Sequence, residues 1–430
     1  MPGGGEPGRA RLVLEVAGLF AIVAIGLAVL AGIPQLIPIA LLVGALALAR
    51  ELWLRRGLRG FEYGRRLGTR HAVWGDRVPI TITLWNRSWL PAAWLTAQDR
   101  LSDEADIRGA AEDGAALDLA EGDRNGRRWL RNAWTLWPFE KVERRFVLHA
   151  DRRGRILFGP VELTASDLFA GQAGEGQLLQ HEELTIAPRV LPVQSATPRA
   201  RWSAQQRAVA GMPEDPAHFA GVRPYQRGDT PRRIHWRATA RTGAPRSKRF
   251  EASRERELLL VVDIQTVPGP AIGGGYEPEL VEALCVVAAS LARDAITTGA
   301  RCGLASAAFS YRPRSEVRVH PAAGPTQLLA LTDALARLSP YASGPLSGLL
   351  AGLPRWVETH TQLVLLTARD PAESLPVLRR LRATGFDLRV VAVGPAASAI
   401  VARATAAGFP AVSATLDPDW RTAPALSIAG

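Results

Sequence analysis

The chain has 430 residues, enough for two or three domains beyond any membrane segment. Its formal net charge of +11 favours an anionic neighbour, either a membrane surface or nucleic acid. Its two cysteines, Cys285 and Cys302, offer neither a disulfide framework nor a metal cluster, and we expect buried free thiols.

Two apolar stretches lie near the N-terminus, at residues 12–32 and 36–49. Each is close to the roughly 20 residues that cross a bilayer as a helix, so the sequence predicts a transmembrane helical hairpin within residues 1–66. Arginines flank the pair but not the turn, which predicts a multi-pass protein of the inner (plasma) membrane with both termini cytoplasmic. We also expect membrane lipids to contact the arginines that border or follow the second stretch. These are Arg50, Arg55, Arg56, Arg59, Arg65 and Arg66.

Residues 67–192 carry patterns typical of short strands. Val78, Ile80, Ile82 and Leu84 alternate with Pro and Thr, which predicts a half-buried strand. Further strands are predicted at 129–137, 142–148 and 156–163. Short strands at this spacing favour a β-sandwich-like domain, with the acidic stretch 103–125 as a loop.

Residues 193–250 combine a linker with a strongly basic stretch, residues 223–249, which we call the basic segment. Nine arginines or lysines surround one acid, Asp229, together with Tyr225, His235 and Trp236. The pair Gly228-Asp229 predicts a tight turn. Composition alone favours a packed surface loop whose arginines pair with acids elsewhere.

Strands and helices alternate in residues 251–430. The apolar run 258–262 predicts a strand that ends at Asp263, and the one-sided apolar pattern of 277–298 predicts a helix. Further strands are predicted at 301–307, 316–320, 362–368, 388–394 and 410–414, with helices at 326–338, 374–384 and 396–408. This order predicts an α/β doubly wound domain whose ligands bind at the carboxyl ends of its strands.

The basic segment resembles the motif of a bacterial family, domain-of-unknown-function family 58. The matching residues are Gly221-x-Arg223-x-Tyr225-x-x-Gly228-Asp229-x-x-Arg232-Arg233-Ile234-His235-Trp236-x-Ala238-x-Ala240-Arg241. The resemblance implies that a von Willebrand factor A-like domain follows, and it implies no established enzymatic activity. Proteins similar to this one commonly occur alongside MoxR-type AAA+ ATPases and membrane proteins with transglutaminase-like domains.

Asp263 is a candidate metal ligand under this resemblance. Von Willebrand factor A-like domains place Asp-x-Ser-x-Ser after the first strand, with a Thr and an Asp from later loops, around a hard cation such as Mg²⁺. Here Gln265 and Val267 hold the serine positions, and Thr326 and Asp370 are weak later candidates. We therefore expect no metal cofactor, and we expect Asp263 to cap its strand or to pair with an arginine of the basic segment.

These observations favour a membrane-anchored, non-enzymatic scaffold or adaptor with its soluble part in the cytosol. The resemblance implies a MoxR-type AAA+ ATPase as partner in the assembly or maturation of envelope or enzyme complexes, with a transglutaminase-like membrane protein as a further partner. The expected cationic surface consists of Arg223, Arg232, Arg233, Arg237 and Arg241.

Two alternatives remain open. The charge also suits a nucleic-acid-binding membrane protein, although no nucleic-acid module is recognisable. The proximity of Asp229 and His235 suits an uncharacterised hydrolase or transferase, but no nucleophile is evident. We expect His235 and Trp236 to fix the basic segment to its domain rather than to react.

Overall fold

The computed structural model describes residues 37–39, 41, 42, 44, 45, 60–89, 91–102, 106–108, 118–120, 128–166, 172–195, 214–226, 229–252, 257–269, 275–310, 316–359 and 361–429. The chain divides into two units: Met1–Asp151 with Arg155–Ile186, and Arg152–Gly154 with Ala187–Gly430. The finer division predicted from the sequence, at residues 66, 192 and 250, stays a prediction.

Apart from the helical residues 37–39, 41, 42, 44 and 45, the described part of the first unit is built from strands. They are β1 (Phe61–Leu67), β2 (His71–Val73), β3 (Arg77–Asn86), β4 (Ala92–Leu101), β5 (Asp106–Arg108), β6 (Asp118–Ala120), β7 (Arg128–Leu136), β8 (Lys141–His149), β9 (Gly154–Ser166), β10 (Gln172–Leu178) and β11 (Glu182–Ala187). One sheet has the order β1-β3-β8-β5, and the other has the order β2-β11-β9-β4-β7-β6, with β10 on β9.

The two sheets of this unit share one hydrophobic core. Ile80 and Ile82 of β3 and Phe146 of β8 contribute from the first sheet, while Leu95 and Phe158 contribute from the second; all five are at most 2% exposed. Every second residue of a strand faces the same side, so the alternation along β3 places its apolar side chains together in this core. Burying such a side chain contributes about 1.5–3 kcal/mol relative to leaving it exposed.

A buried ion pair lies inside this apolar core. The Arg65 guanidinium donates to the Asp99 carboxylate and, at 2.9 Å, to Glu182. The Tyr63 hydroxyl also donates to Asp99, at 3.0 Å. Burial raises the pKa of the Asp99 carboxyl, and Arg65 acts against that rise. The first unit therefore depends on a charge pair whose members cannot be separated without leaving one charge buried.

The second unit contains the remaining strands and the helices. Its strands are β12 (Val193–Ser195), β13 (Glu214–Pro224), β14 (Arg246–Ala252), β15 (Glu257–Val262), β16 (Arg301–Ser310), β17 (Glu316–Ala322), β18 (Leu338–Ala342), β19 (Gln362–Thr367), β20 (Leu388–Val393), β21 (Ala411–Thr415) and β22 (Leu426–Ala429). Its helices are α1 (Trp236–Thr242), α2 (Pro278–Thr297), α3 (Pro325–Ala336), α4 (Leu346–Gly352), α5 (Leu375–Ala383) and α6 (Ala397–Ala406).

A mixed sheet forms the centre of the second unit, in the order β12-β22-β21-β20-β19-β15-β16-β17. Strands β15, β16, β19, β20 and β21 form parallel pairs, whereas β17 and β18 pair antiparallel with β16, and β22 pairs antiparallel with β21. Residues 258–262 of β15 are all buried, as a strand covered on both faces requires. Strands β13 and β14 form a separate two-stranded sheet.

The predicted fold class was an α/β doubly wound domain of von Willebrand factor A type, with a β-sandwich-like domain and a preceding transmembrane hairpin. It is wrong for this chain, because strands predominate in the described residues and their helices are few. The second unit also carries antiparallel strands, at β17, β18 and β22. An apolar run predicts a strand but not the direction of its neighbour, which depends on residues far away in the chain.

No helix in the described part of the chain is long and apolar enough to cross a membrane. This finding contradicts the predicted multi-pass location in the inner membrane with both termini cytoplasmic. The predicted span 12–32 lies outside the described residues, as does half of the span 36–49. Residues 61–66, assigned to the hairpin segment, instead belong to β1, where Arg65 is buried rather than exposed to lipid.

Replacing Arg65 tests the buried pair. Arg65→Met is expected to lower the free energy of unfolding by about 3–5 kcal/mol, because Asp99 then stays buried without its cation. The double variant Arg65→Met/Asp99→Leu is expected to recover most of that loss. Urea denaturation of the full chain measures both, with Arg66→Met, an exposed neighbour on β1, as the matched control. Equal stability of the Arg65 and Arg66 variants would contradict the role given to the pair.

Candidate functional site

The basic segment forms the connection between β13 and β14. These strands pair antiparallel, with Arg223 opposite Ser247. The Tyr225 amide donates to the Pro245 carbonyl at 3.0 Å, and Ile234 forms an isolated bridge with Ser247. The connection therefore folds back onto β14 at two points.

Asp229 holds the two ends of this connection together. Its carboxylate accepts hydrogen bonds from Arg223 Nη2 at 2.5 Å, Ser247 Oγ at 2.8 Å and Gln226 N at 3.0 Å. The Asp229 amide donates to the Gln226 carbonyl at 3.0 Å, which closes a turn whose residue Gly228 lies outside the described residues. These hydrogen bonds, led by the one from Arg223, lower the pKa of the Asp229 carboxyl to about 2.

His235 begins helix α1. Its Nδ1 accepts the Ala238 amide at 3.0 Å, so the ring caps the first turn of the helix. The His235 amide donates to the Arg246 carbonyl at 2.7 Å, and Thr239 Oγ1 accepts the Arg246 amide at 3.0 Å. Helix α1 ends at Gly243, whose φ of 66° is left-handed and suits glycine.

Helix α1 turns an aromatic and basic surface to solvent. Trp236 is 70% exposed, and Arg237, Ala240 and Arg241 beside it are exposed as well. Residues at positions i, i+1, i+4 and i+5 share one side of a helix, so these four form a single surface, which we call the α1 face. Arg232, on the preceding 3₁₀ turn, is also exposed. The three arginines form no ion pair with any described residue.

The other predicted members of the motif have supporting positions. Tyr225 is 40% exposed, and its hydroxyl donates to the Asp229 carbonyl at 3.3 Å. Arg233 is half-buried. The structure thus gathers the predicted residues into one ordered loop, in which Asp229 and His235 support the loop and Trp236, Arg232 and Arg241 face solvent.

Asp263 lies at the carboxyl end of β15 and is buried. Its Oδ2 accepts hydrogen bonds from Arg369 Nε and Thr367 Oγ1, both at 3.0 Å. Its Oδ1 accepts the Gln265 amide at 3.3 Å. Burial raises the pKa of the Asp263 carboxyl, and the Arg369 guanidinium opposes that rise. The predicted arginine partner exists, but it follows β19 rather than belonging to the basic segment.

The weaker metal candidates do not join Asp263. Thr326 is the second residue of α3, next to Gln327, whose side-chain amide donates to the Cys302 carbonyl at the start of β16. Cys302 pairs with Leu258, at the opposite end of β15 from Asp263. Asp370 instead caps a 3₁₀ turn and pairs with Arg403 at 3.1 Å. Within the described residues, no group of three or more His, Cys, Asp or Glu side chains could hold a metal ion.

Sequence reasoning missed the residues that complete both arrangements. Ser247 and Thr239 anchor the basic segment, but only the register of β13 against β14 shows that Ser247 faces Asp229. Thr367 and Arg369 had a readable signal. Carboxyl ends of neighbouring parallel strands meet at one edge of a sheet, and β19 is a parallel neighbour of β15.

Replacing Asp229 tests its role in the loop. Asp229→Asn is expected to speed amide hydrogen exchange at Gln226 and Ser247, while β15 keeps its protection, because the loss is local. In the wild type, the folded pKa of about 2 lies below the ordinary value of 3.8. The stabilisation is therefore complete above about pH 4 and is lost as the pH falls through 2. Hydrogen-exchange mass spectrometry, corrected for intrinsic exchange rates, measures the effect of the variant and the effect of pH. Protection at Gln226 and Ser247 that changes with neither would contradict this assignment.

Magnesium titration tests the Asp263 site. We expect isothermal titration of the full chain to show no micromolar binding of Mg²⁺, because the Arg369 guanidinium already neutralises the carboxylate. Micromolar binding that is lost in Asp263→Asn would contradict this expectation.

The comparisons with known proteins find similarity to proteins without an assigned function. Residues 221–393 match the family described as "Protein of unknown function DUF58". The chain is 26% identical over 254 residues to "Uncharacterized protein YeaD" of Bacillus subtilis (strain 168), covering 58% of this chain and 56% of that relative. The match thus spans little more than half of the relative's length, and neither description names an enzymatic activity.

Two of the solved structures that match this chain cover 29% of it. A CARDB domain from Pyrococcus furiosus matches with a TM-score of 0.19 and 9% identity, covering 29% of this chain and 91% of that domain. A cohesin module from Clostridium perfringens matches with a TM-score of 0.20 and 12% identity, covering 29% and 96%. TM-scores this low support no conclusion about the fold or function of this chain. Residues 221–393, which include the whole basic segment and the strands β15 to β20, are therefore similar to a family of unknown function.

Proposed function

We propose that this chain is a non-enzymatic adaptor that binds an acidic surface of a MoxR-type AAA+ ATPase through the α1 face. The observation that carries the proposal is the exposure of Trp236 beside Arg237 and Arg241, with Arg232 nearby. Arginine and tryptophan are the residue types that most often carry the binding energy of protein interfaces.

The charge of the α1 face supports an acidic partner. Buried arginines of this chain, such as Arg65 and Arg369, form ion pairs with internal carboxylates. Arg232, Arg237 and Arg241 have no such ion pair within the described residues. Complementary charge speeds association and selects the partner, so these three arginines favour a surface rich in Asp and Glu.

The underlying loop keeps the α1 face in a fixed geometry. Asp229 ties Arg223 to Ser247, and His235 caps the helix that carries Trp236. A surface that is already ordered loses less conformational freedom when a partner binds, which improves affinity. The strongest hydrogen bonds of the basic segment thus support recognition.

The same contacts favour binding over catalysis. Both carboxylate oxygens of Asp229 accept hydrogen bonds, and Nδ1 of His235 is used by the helix cap. Burial raises the pKa of the Cys285 thiol to about 12 and that of the Cys302 thiol further still. A thiol that stays protonated is a poor nucleophile.

The identity of the partner comes from the family resemblance. Proteins similar to this one commonly occur alongside MoxR-type AAA+ ATPases and transglutaminase-like membrane proteins, and the proposal takes the ATPase as the direct partner. Assembly or maturation of envelope or enzyme complexes is the corresponding task. Nucleic acid is the competing ligand, since exposed tryptophan and arginine also stack on bases.

Charge reversal on the α1 face tests this function. The full chain carrying Arg232→Glu, Arg237→Glu and Arg241→Glu is expected to lose capture of a purified MoxR-type AAA+ ATPase at least tenfold, and capture by the wild type is expected to differ between ATP and ADP. The matched control reverses Arg355, Arg379 and Arg380, which are exposed elsewhere in the second unit, and keeps capture. The two triple variants change the net charge equally, so a loss specific to the α1 face is not a bulk charge effect.

Three outcomes would count against the adaptor. Capture that survives charge reversal would remove the α1 face as its site. Absence of capture by the wild type in either nucleotide would remove the ATPase. Salt-sensitive binding of single-stranded DNA or RNA by the wild type, lost in the α1-face variant alone, would identify the α1 face as a nucleic-acid-binding surface instead.

A further inference from the structure

Four large aromatic side chains are exposed at one end of the first unit, which we call the aromatic end. Trp89, Trp94, Trp137 and Phe139 are 54%, 58%, 68% and 67% exposed. Trp89 lies between β3 and β4, Trp94 near the start of β4, and the other two between β7 and β8. Because β3 pairs with β8 and β4 pairs with β7, these connections meet at the same end of the sheets. Exposed apolar patches of this kind mark interaction surfaces.

The turn that carries two of these rings is rigid and strained. Phe139 has a φ of 61°, the only left-handed value at a non-glycine position in the described residues. The Phe139 amide donates to the Ser88 carbonyl at 3.3 Å, and the side chain of buried Asn86 donates to the Trp137 carbonyl at 3.0 Å. The turn closes where the Glu140 amide donates to Trp137 O at 3.2 Å. The surrounding structure therefore holds an unfavourable conformation that keeps both rings in solvent.

The cations at this end are paired with acids, and Glu140 accepts a backbone amide. Their contacts are Arg87 with Glu62 at 2.9 Å, Lys141 with Glu143 at 2.9 Å, and the Glu140 carboxylate with the Trp137 amide at 2.7 Å. Arg87 also stacks on the Trp85 ring at 4.0 Å. Arg87 and Lys141 are thus paired with Glu62 and Glu143, so this end offers no unpaired cation to an acidic ligand.

The aromatic end offers two indole hydrogen-bond donors. The indole N–H groups of Trp94 and Trp137 have no hydrogen-bond partner within the described residues. The nearby carboxylates of Glu62, Glu140 and Glu143 already accept hydrogen bonds or pair with cations. A proline-rich chain presents carbonyl acceptors and few N–H groups, so its backbone matches these donors.

We propose that the aromatic end binds an uncharged, proline-rich peptide segment in the extended polyproline II conformation. The rings of Trp137, Phe139 and Trp94 pack against its prolines, and the two indole N–H groups donate to its carbonyls. Such a segment has no internal hydrogen bonds, so its carbonyls are available, and its stiffness limits the entropy lost on binding. The inference concerns the first unit alone and does not depend on the adaptor function.

Fluorescence anisotropy of a labelled oligoproline peptide with the full chain tests this proposal. We expect saturable binding, weakened about tenfold or more in Trp137→Ala, as for a central aromatic residue of an interface. The second variant is Phe139→Gly, which removes a ring but fits the left-handed turn. It is expected to raise Tm and to weaken binding of the peptide. Leu179→Ala, at a residue of the same unit that is 76% exposed, is the matched control and keeps wild-type affinity.

The controls separate the ligand classes. A Gly-Ser peptide of equal length is expected not to bind, because it lacks the rings and the preformed conformation. Absence of oligoproline binding, or equal binding by wild type and both aromatic variants, would overturn the proposal. Binding of cellopentaose in place of oligoproline, lost in Trp137→Ala, would overturn it in favour of a saccharide.

Discussion

The Asp229 carboxylate is the interaction on which the basic segment depends. It joins Arg223 of β13 to Ser247 of β14 and closes the turn at Gln226, so one acid organises a loop of nine cationic residues. Its low pKa keeps the charge in place at every physiological pH. With the strands joined in this way, the His235 amide donates to the Arg246 carbonyl while its ring caps α1. This cap fixes the start of the helix and therefore the position of Trp236.

Among the described residues, two groups of arginines differ in their physical role. Arg65 and Arg369 are buried against Asp99 and Asp263, where the desolvation of both charges is large and separation of either pair is costly. Exposed pairs contribute little to stability, so an arginine left in solvent without a carboxylate has no comparable structural role. The α1-face arginines belong to this second group. Their charge is available to a partner because the fold does not use it.

Local patterns predicted the elements better than their assembly. The alternation of Val78 to Leu84 predicted β3, and the apolar pattern of 277–298 predicted α2. Both predictions work because the spacing of apolar residues along the sequence reflects which side of an element is buried. The sheet directions, the pairing of Arg369 with Asp263 and the contact of Ser247 with Asp229 depend on residues brought together only by register. The motif residues were found from the family resemblance, yet their division into support and surface required the contacts. The sequence analysis also grouped Arg65 with its exposed neighbours on the basis of charge. Its partners, Asp99 and Glu182, lie on strands that are far away in the sequence.

Both units hold exposed aromatic rings on backbone that is fixed by polar contacts beneath. In the second unit the support is Asp229 and the His235 cap under Trp236; in the first it is Asn86 and Ser88 under Trp137 and Phe139. An apolar ring in water gains nothing for the monomer, and the left-handed φ of Phe139 costs it stability. Such positions persist when rigidity lowers the entropy cost of binding. The α1 face carries arginines without an ion pair among the described residues, whereas the cations of the aromatic end are paired, so the two surfaces select ligands of different chemistry.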